Sequence, residues 1–309
     1  MTKVAVIGAG LIGRAWSIVF ARAGFDVALW DPFPQQVAAA QDFIAERLPE
    51  LRDAGLLNED PAAVCARIRP APSLPNAVGD VEHVQENGPE RVADKQKLFA
   101  ELDVAARADA VLASSTSGIP ASAFTDGLSG RARCLVAHPV NPPYLIPLVE
   151  LCPAPWTDPD VVARTRALMT RAGQVPATVA RETEGFALNR LQGALLAEAF
   201  RLIDDEVISP ADLDALVKHG LGLRWSFMGP LETIDLNAPE GIADYCKRYG
   251  PLYAVMQRQM KPRKWLPALI GRLEAARRAE LPANMLAVRQ EWRDRRLMAL
   301  LAHKKAQAD

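Results

Sequence analysis

The sequence predicts an α/β domain with a mostly parallel, doubly wound sheet over residues 1–183, followed by an all-α domain over residues 184–309. Three observations carry that division. Short apolar runs alternate with helical stripes as far as about residue 180. A glycine-rich turn joins the first run to the first stripe, and beyond residue 182 no strand pattern survives.

Residues 3–7 (KVAVI) read as a strand of five, and apolar positions 11, 12, 15, 16, 19, 20 and 23 then form one helical stripe. Residues 25–30 are a second strand and 34–55 an Ala-rich helix. After a less regular stretch come a strand at 82–85, a helix at 90–106, and strands at 110–114, 134–137 and 148–151. A helix at 158–172 and a strand at 175–180 complete the first half. Strands that alternate with helices imply a sheet covered on both faces. In the second half, residues 186–204, 209–219, 227–236, 242–259 and 283–303 all read as helices. The tail, RQEWRDRRLMALLAHKKAQAD, is a charged amphipathic helix expected to pack on its own domain or on a partner subunit.

Bulk properties narrow the function. The 309 residues are 50% hydrophobic and 24% charged, with a net charge of −1, so neither nucleic acid nor an anionic membrane is expected as the main partner. Four scattered cysteines (65, 134, 152 and 246) contain no CxxC pair, and no metal site is expected. The opening MTKVAVIGAG is apolar for too few residues to read as a signal peptide or a membrane span, so a cytoplasmic protein is expected.

The segment VAVIGAGLIGRAW places Gly8, Gly10 and Gly13 in a GxGxxG between a strand and a helix, with Leu11 and Ile12 opening that helix. Gly8 suits a tight turn, Gly10 a backbone that approaches a pyrophosphate, and Gly13 close packing of helix on strand. The free N–H groups of the helix start favour an anion. The second strand ends at Asp31, eighteen residues after Gly13. A carboxylate there accepts a bond from a ribose 2′-hydroxyl and repels a 2′-phosphate, which favours NAD over NADP in a Rossmann-type fold.

Chemistry concentrates in LVAHPVNPPYLIPLVE, residues 135–150. His138 stands where a strand ends, Glu150 follows twelve residues later, and prolines 139, 142, 143 and 147 lie between them. Of the other histidines, His83 falls inside a strand, His219 at a helix end and His303 in the charged tail, so none asks for a catalytic role. ASSTSGIP (113–120) ends the preceding strand and brings hydroxyls to the same sheet edge, where open α/β sheets bind ligands. The prolines suggest a stiff connection that sets His138 against Glu150.

HPVNPP, the STS turn and TEGFALNRLQGALLAEAFRLID (183–204) resemble the 3-hydroxyacyl-CoA dehydrogenase superfamily over nearly the whole chain, most weakly between about 56 and 81. Within it, HPVNPPYLIPLVEL, VISPADLD and GLGLRWSFMGPLETIDLNA look most like the lambda-crystallin branch, whose activity is L-gulonate 3-dehydrogenase. The resemblance implies an NAD-dependent oxidoreductase and a homodimer. It implies His138 as general base, Glu150 as its orienting carboxylate, Ser117 and Asn189 on the substrate hydroxyl, and Glu90 and Lys95 beside the nicotinamide. Two positions depart from the acyl-CoA branch: Ser115 replaces its asparagine and Gly118 its serine.

The substrate expected is a small 3-hydroxy acid. Residues 36–60 carry six acidic and two basic side chains, a net of −4, which disfavours the phosphates of CoA. Arg224, beside Trp225, is a candidate clamp for a carboxylate, or else a surface arginine packed on that indole. The competing readings are a 3-hydroxyacyl-CoA or carnitine-type dehydrogenase and a non-catalytic NAD-binding protein.

Overall fold

A computed structural model describes residues 2–307. Eight strands form one sheet in the order β3-β2-β1-β4-β5-β6-β7-β8. They are β1 (Lys3–Ile7), β2 (Asp26–Trp30), β3 (Ile68–Pro70), β4 (His83–Glu86), β5 (Val111–Ser114), β6 (Cys134–Pro139), β7 (Leu148–Pro153) and β8 (Val175–Thr178). All neighbours pair in parallel except β6 and β7, which are antiparallel. The short β3 lies in the stretch that showed no clear period. It has three residues, and its Pro70 is tolerated because the strand is at an edge.

Successive side chains of each strand enter opposite cores. Val4 and Val6 face the cluster built with α1 (Leu11–Arg22) and α2 (Pro34–Asp53), whereas Ala5 and Ile7 face one containing Phe99, Leu102 and Phe124. The same alternation divides β6, where Leu135 and Ala137 go one way and Cys134 and Val136 the other. His138 therefore shares the face of Cys134 and Val136.

The chain divides into two compact units, Met1–Arg190 with Glu291–Asp309, and Leu191–Gln290. This differs from the expected break at 183/184, which assigned the tail to the helical half. Met298 of the last helix (Leu286–Ala306) is buried in the α1/α2 core, Leu297 and Leu301 pack beside it, and the Tyr144 hydroxyl reaches Asp294 at 3.5 Å. The tail's apolar stripe is thus satisfied by the α/β unit. The second unit includes a helix that its sequence did not reveal, Pro267–Glu280, whose ALIGRLEAARRAE is charged on most sides. Its ends are set by Pro267 in the first turn and arginines in the last.

Candidate active site

The glycine turn has the geometry its spacing requires. Gly8 adopts φ +92°, and a Cβ on it would meet the Asn87 carbonyl oxygen at 2.9 Å. A Cβ on Gly13 would lie 1.8 Å from the Gly8 carbonyl oxygen, so only glycine lets α1 seat against β1. Gly10 has nothing within 4 Å of its Cβ position: its side faces open space. No side chain caps α1, leaving the N–H groups of Leu11, Ile12 and Gly13 without helical acceptors. Asp31 is held at the mouth of this crevice, with Oδ2 accepting from Ala9 N at 2.8 Å and Oδ1 from Phe33 N at 2.9 Å. A carboxylate offers about four lone-pair sites, so two remain for a diol. Gly8, Gly10, Asp31, Phe33, Asn87 and Gly88 line a cavity of about 590 Å³. An open cradle at a helix start and an acid at the end of β2 fit NAD.

Beneath the turn lies a polar group that the sequence did not disclose. Lys95, expected beside the nicotinamide, is 1% exposed, with Nζ 3.0 and 2.9 Å from the two oxygens of Glu86. Glu86 also accepts from Ser114 Oγ at 2.5 Å and from Gly88 N at 2.5 Å. The Lys95 ammonium thus pairs with the carboxylate that also receives the Gly88 amide. Glu90 is exposed and caps the hydroxyl turn, its Oε1 accepting from Thr116 Oγ1 (2.5 Å), Ser117 N (2.9 Å) and Gly118 N (3.2 Å). Ser115, one of the two departures, is a hub. It accepts from Trp16 Nε1 and Gln85 Nε2 and donates to Asn87 Oδ1. Gln85 in turn accepts from His83 Nε2 at 3.0 Å, and burial pushes His83 down to about 4.

His138 and Glu150 are register partners of the antiparallel pair, so both side chains rise from the same face. The ladder itself aligns them, and the proline-rich loop between them has only to close the connection. Nδ1 lies 2.8 Å from Glu150 Oε2. The other oxygen, Oε1, accepts from Ala187 N (2.9 Å) and Leu188 N (2.8 Å), in the first turn of the helix Phe186–Asp204. Burial pushes the Glu150 carboxyl up, but the hydrogen bond from His138 and those from Leu188 and Ala187 outweigh it, and its pKa lies below the usual carboxylate range. An ionised acceptor fixes the proton on Nδ1 and leaves a lone pair on Nε2.

Four consecutive residues gather the site. The Phe186 ring sits 5.5 Å from the His138 ring, Ala187 and Leu188 bind Glu150, and Asn189 Nδ2 donates to the Ser117 carbonyl at 2.6 Å. Gly185 and Phe186 both have positive φ, +72° and +51°. That left-handed entry, costly for a phenylalanine, aims the next two amides at the carboxylate. A glycine before an aromatic, ahead of a helical stripe, was the available signal in TEGF. Ser117 is exposed, and its hydroxyl has no protein partner among the described residues. Arg224 belongs to the other unit, in the short helix Gly222–Trp225 after a π-helical turn. It is exposed, and no stacking of its guanidinium on Trp225 occurs among the described residues.

A nucleotide crevice and an imidazole–carboxylate pair on one sheet edge define an NAD-dependent dehydrogenase acting on hydroxyl groups. The chain belongs to the 3-hydroxyacyl-CoA dehydrogenase family: residues 3–183 match its NAD-binding domain and residues 185–279 its C-terminal domain. That family comprises NAD-dependent dehydrogenases acting on 3-hydroxy groups. Its cofactor is NAD. The chain is 46% identical over 305 residues to the lambda-crystallin homolog of Bos taurus, covering 96% of this chain and 94% of that one. It is 36% identical over 298 residues to the L-carnitine dehydrogenase of Pseudomonas aeruginosa, covering 96% and 92%. Among solved structures, 5-formyl-3-hydroxy-2-methylpyridine 4-carboxylic acid 5-dehydrogenase, an NAD+-dependent dismutase, is 25% identical with a TM-score of 0.86 over the whole of both chains. The 3-hydroxybutyryl-CoA dehydrogenase of Escherichia coli is 28% identical with a TM-score of 0.69, covering 84% of this chain and 54% of that one.

Proposed function

We propose that the protein oxidises the 3-hydroxyl of a small hydroxy acid of the L-gulonate type to the 3-keto acid. The observation that carries the reading is the His138–Glu150 pair, whose second carboxylate oxygen is fixed by two helix amides. His138 Nε2 takes the hydroxyl proton, and Glu150 stabilises the imidazolium that forms. The free hydroxyl of Ser117 and the amide of Asn189 hold the substrate oxygen against that nitrogen. NAD, when bound, supplies the hydride acceptor. Gly8, Gly10, Gly13, Leu11, Ile12, Asp31 and Glu90 are the residues assigned to hold it.

Two features favour a small acid over an acyl-CoA. The region around α2 carries a net charge of −4 over residues 36–60, poor ground for a triphosphorylated ligand. Arg224 is an exposed guanidinium with no carboxylate partner among the described residues, suited to a bidentate acid. Arg224→Ala should raise KM for L-gulonate about 10- to 100-fold, the loss expected for charge-assisted hydrogen bonds, with NAD affinity unchanged. The carnitine-type reading draws on the 36% identity to the carnitine enzyme. Following NADH formation with L-gulonate, L-carnitine, 3-hydroxybutyrate and 3-hydroxybutyryl-CoA tests the proposal: fastest turnover of carnitine or the CoA ester would displace it, and no turnover of any would favour a non-catalytic protein.

Residues 1–183 are assigned to NAD and residues 184–290 to substrate and dimerisation, the tail from Glu291 being part of the α/β unit. Of residues 191–290 only Ala199, Ile203, Thr233 and Leu269 are buried, while Leu231, Leu252, Phe227 and Trp265 stand exposed. So little core cannot hold a hundred residues, which supports a homodimer formed through this unit. Among the described residues, no helix is long and apolar enough to cross a membrane. All four cysteines are free thiols, which supports a cytoplasmic location.

A further inference from the structure

A second cavity, of about 540 Å³, lies in the α/β unit and shares no lining residue with the nucleotide crevice. Three cations from three elements line it: Arg22 at the end of α1, Arg171 at the end of the helix Pro159–Arg171, and Lys305 in the last helix. Among the described residues, their hydrogen-bond partners are neutral. Arg22 Nη1 donates to the Tyr144 carbonyl at 2.8 Å, Arg171 donates to the Thr2 hydroxyl, and Lys305 Nζ lies 3.3 Å from the Gly55 carbonyl. The carboxylate in the wall, Glu59, is already held by Arg67 at 2.6 Å.

Arginines 47, 52, 67, 107, 131, 133 and 164 of the same unit meet a carboxylate, whereas Arg22, like Arg166, is held by a backbone carbonyl. Burial lowers the Arg22 pKa to about 10, the mark of a desolvated guanidinium lacking a counter-charge. Arg22 is half-buried, and a partly desolvated cation without an anion gains from a ligand that supplies one. Leu56, Leu57, Leu145 and Leu301 form an apolar part of the wall beside the cations.

We propose that this cleft binds a phosphate monoester of a small organic molecule, its phosphate on Arg22, Arg171 and Lys305 and its carbon part on the leucines. Guanidinium groups match phosphate oxygens bidentately, and the lysine adds a point charge. The cleft has the size of an ordinary small-ligand site. Tyr144, Leu145 and Pro147 of its wall belong to the loop between His138 and Glu150, so a ligand seated here touches the segment that joins the two strands of the pair.

The test uses the full chain saturated with NAD, which keeps the glycine turn occupied. Calorimetric titration with inorganic phosphate and with phenyl phosphate should give saturable binding of one equivalent, several-fold tighter for phenyl phosphate. The double variant Arg171→Gln/Lys305→Gln should bind both at least about tenfold more weakly, while its Tm and its kcat stay at wild-type values. Lys305→Gln alone, at an exposed side chain, gives a second reading should the double variant lose stability. Absence of saturable binding to wild type, or equal affinity in the variants, would overturn the site. Equal affinity for the two probes in wild type would overturn the assignment of an ester.

Discussion

Glu150→Gln is the most informative single change, because its consequence can be worked out from three donors. His138 Nδ1–H, Ala187 N–H and Leu188 N–H converge on the two carboxylate oxygens at 2.8, 2.9 and 2.8 Å. An amide keeps the shape but offers one oxygen and one NH2 group. If its oxygen faces His138, the NH2 group opposes two backbone donors, at about 1–3 kcal/mol for each left unmet. If its oxygen faces the helix, the NH2 group points at Nδ1, and the imidazole must move its proton to Nε2. The second arrangement costs less, so the variant folds with the wrong tautomer and cannot accept a proton where the substrate sits. The same inversion in the serine-protease triad lowers kcat by about 10⁴, or about 5 kcal/mol of barrier. We expect a loss of about 10³- to 10⁴-fold in NADH formation with L-gulonate, with NAD affinity unchanged. Nitrogen-15 spectra of the imidazole should show the proton on Nδ1 in the wild type and on Nε2 in the variant. A variant within tenfold of wild-type kcat, or with Nε2 still bare, would refute the reasoning.

Three further outcomes follow from separate parts of the molecule. His83, fully buried with its pKa pushed down to about 4, binds a proton more readily unfolded than folded, so stability is full above pH 6.5 and falls as pH drops from there toward 4. The loss should reach about 3 kcal/mol in denaturant titrations at stepped pH, and His83→Gln should flatten that slope. Gly10→Ala, with open space at its Cβ, should leave stability within about 0.5 kcal/mol yet weaken NAD binding at least about tenfold, whereas Gly13→Ala should cost at least about 2–3 kcal/mol of stability; equal stability of the two would contradict the packing. Met298→Ala should destabilise the α/β unit by about 2–4 kcal/mol, and no change would mean that the tail is not part of that core.

What the sequence disclosed follows from how local the responsible physics is. The turn from Gly8 to Gly13 is a backbone matter within six residues, and its spacing alone states the geometry. His138 and Glu150 were legible as types at a sheet edge, but their pairing rests on the antiparallel register of β6 and β7, a non-local fact. The proline loop suggested rigidity when the ladder already supplies it. Lys95 was assigned to the nicotinamide side by resemblance alone, and only the fold shows that Glu86, nine residues earlier, pairs with its charge. The tail's stripe states that something must cover it; which surface does so is decided by Met298 finding the α1/α2 core. The backbone amides of Ala187 and Leu188 carry no side-chain signature, so two of the three donors that hold Glu150 were invisible.

The role of the His138 imidazole is open to direct measurement by single-turnover NADH formation in His138→Asn saturated with NAD and L-gulonate. Loss of its Nε2 lone pair should slow the hydride step by at least about 10³-fold while NAD binds as before and the fold is retained. A step within a few-fold of the wild-type rate would contradict the assignment of His138 as the group that takes the substrate proton.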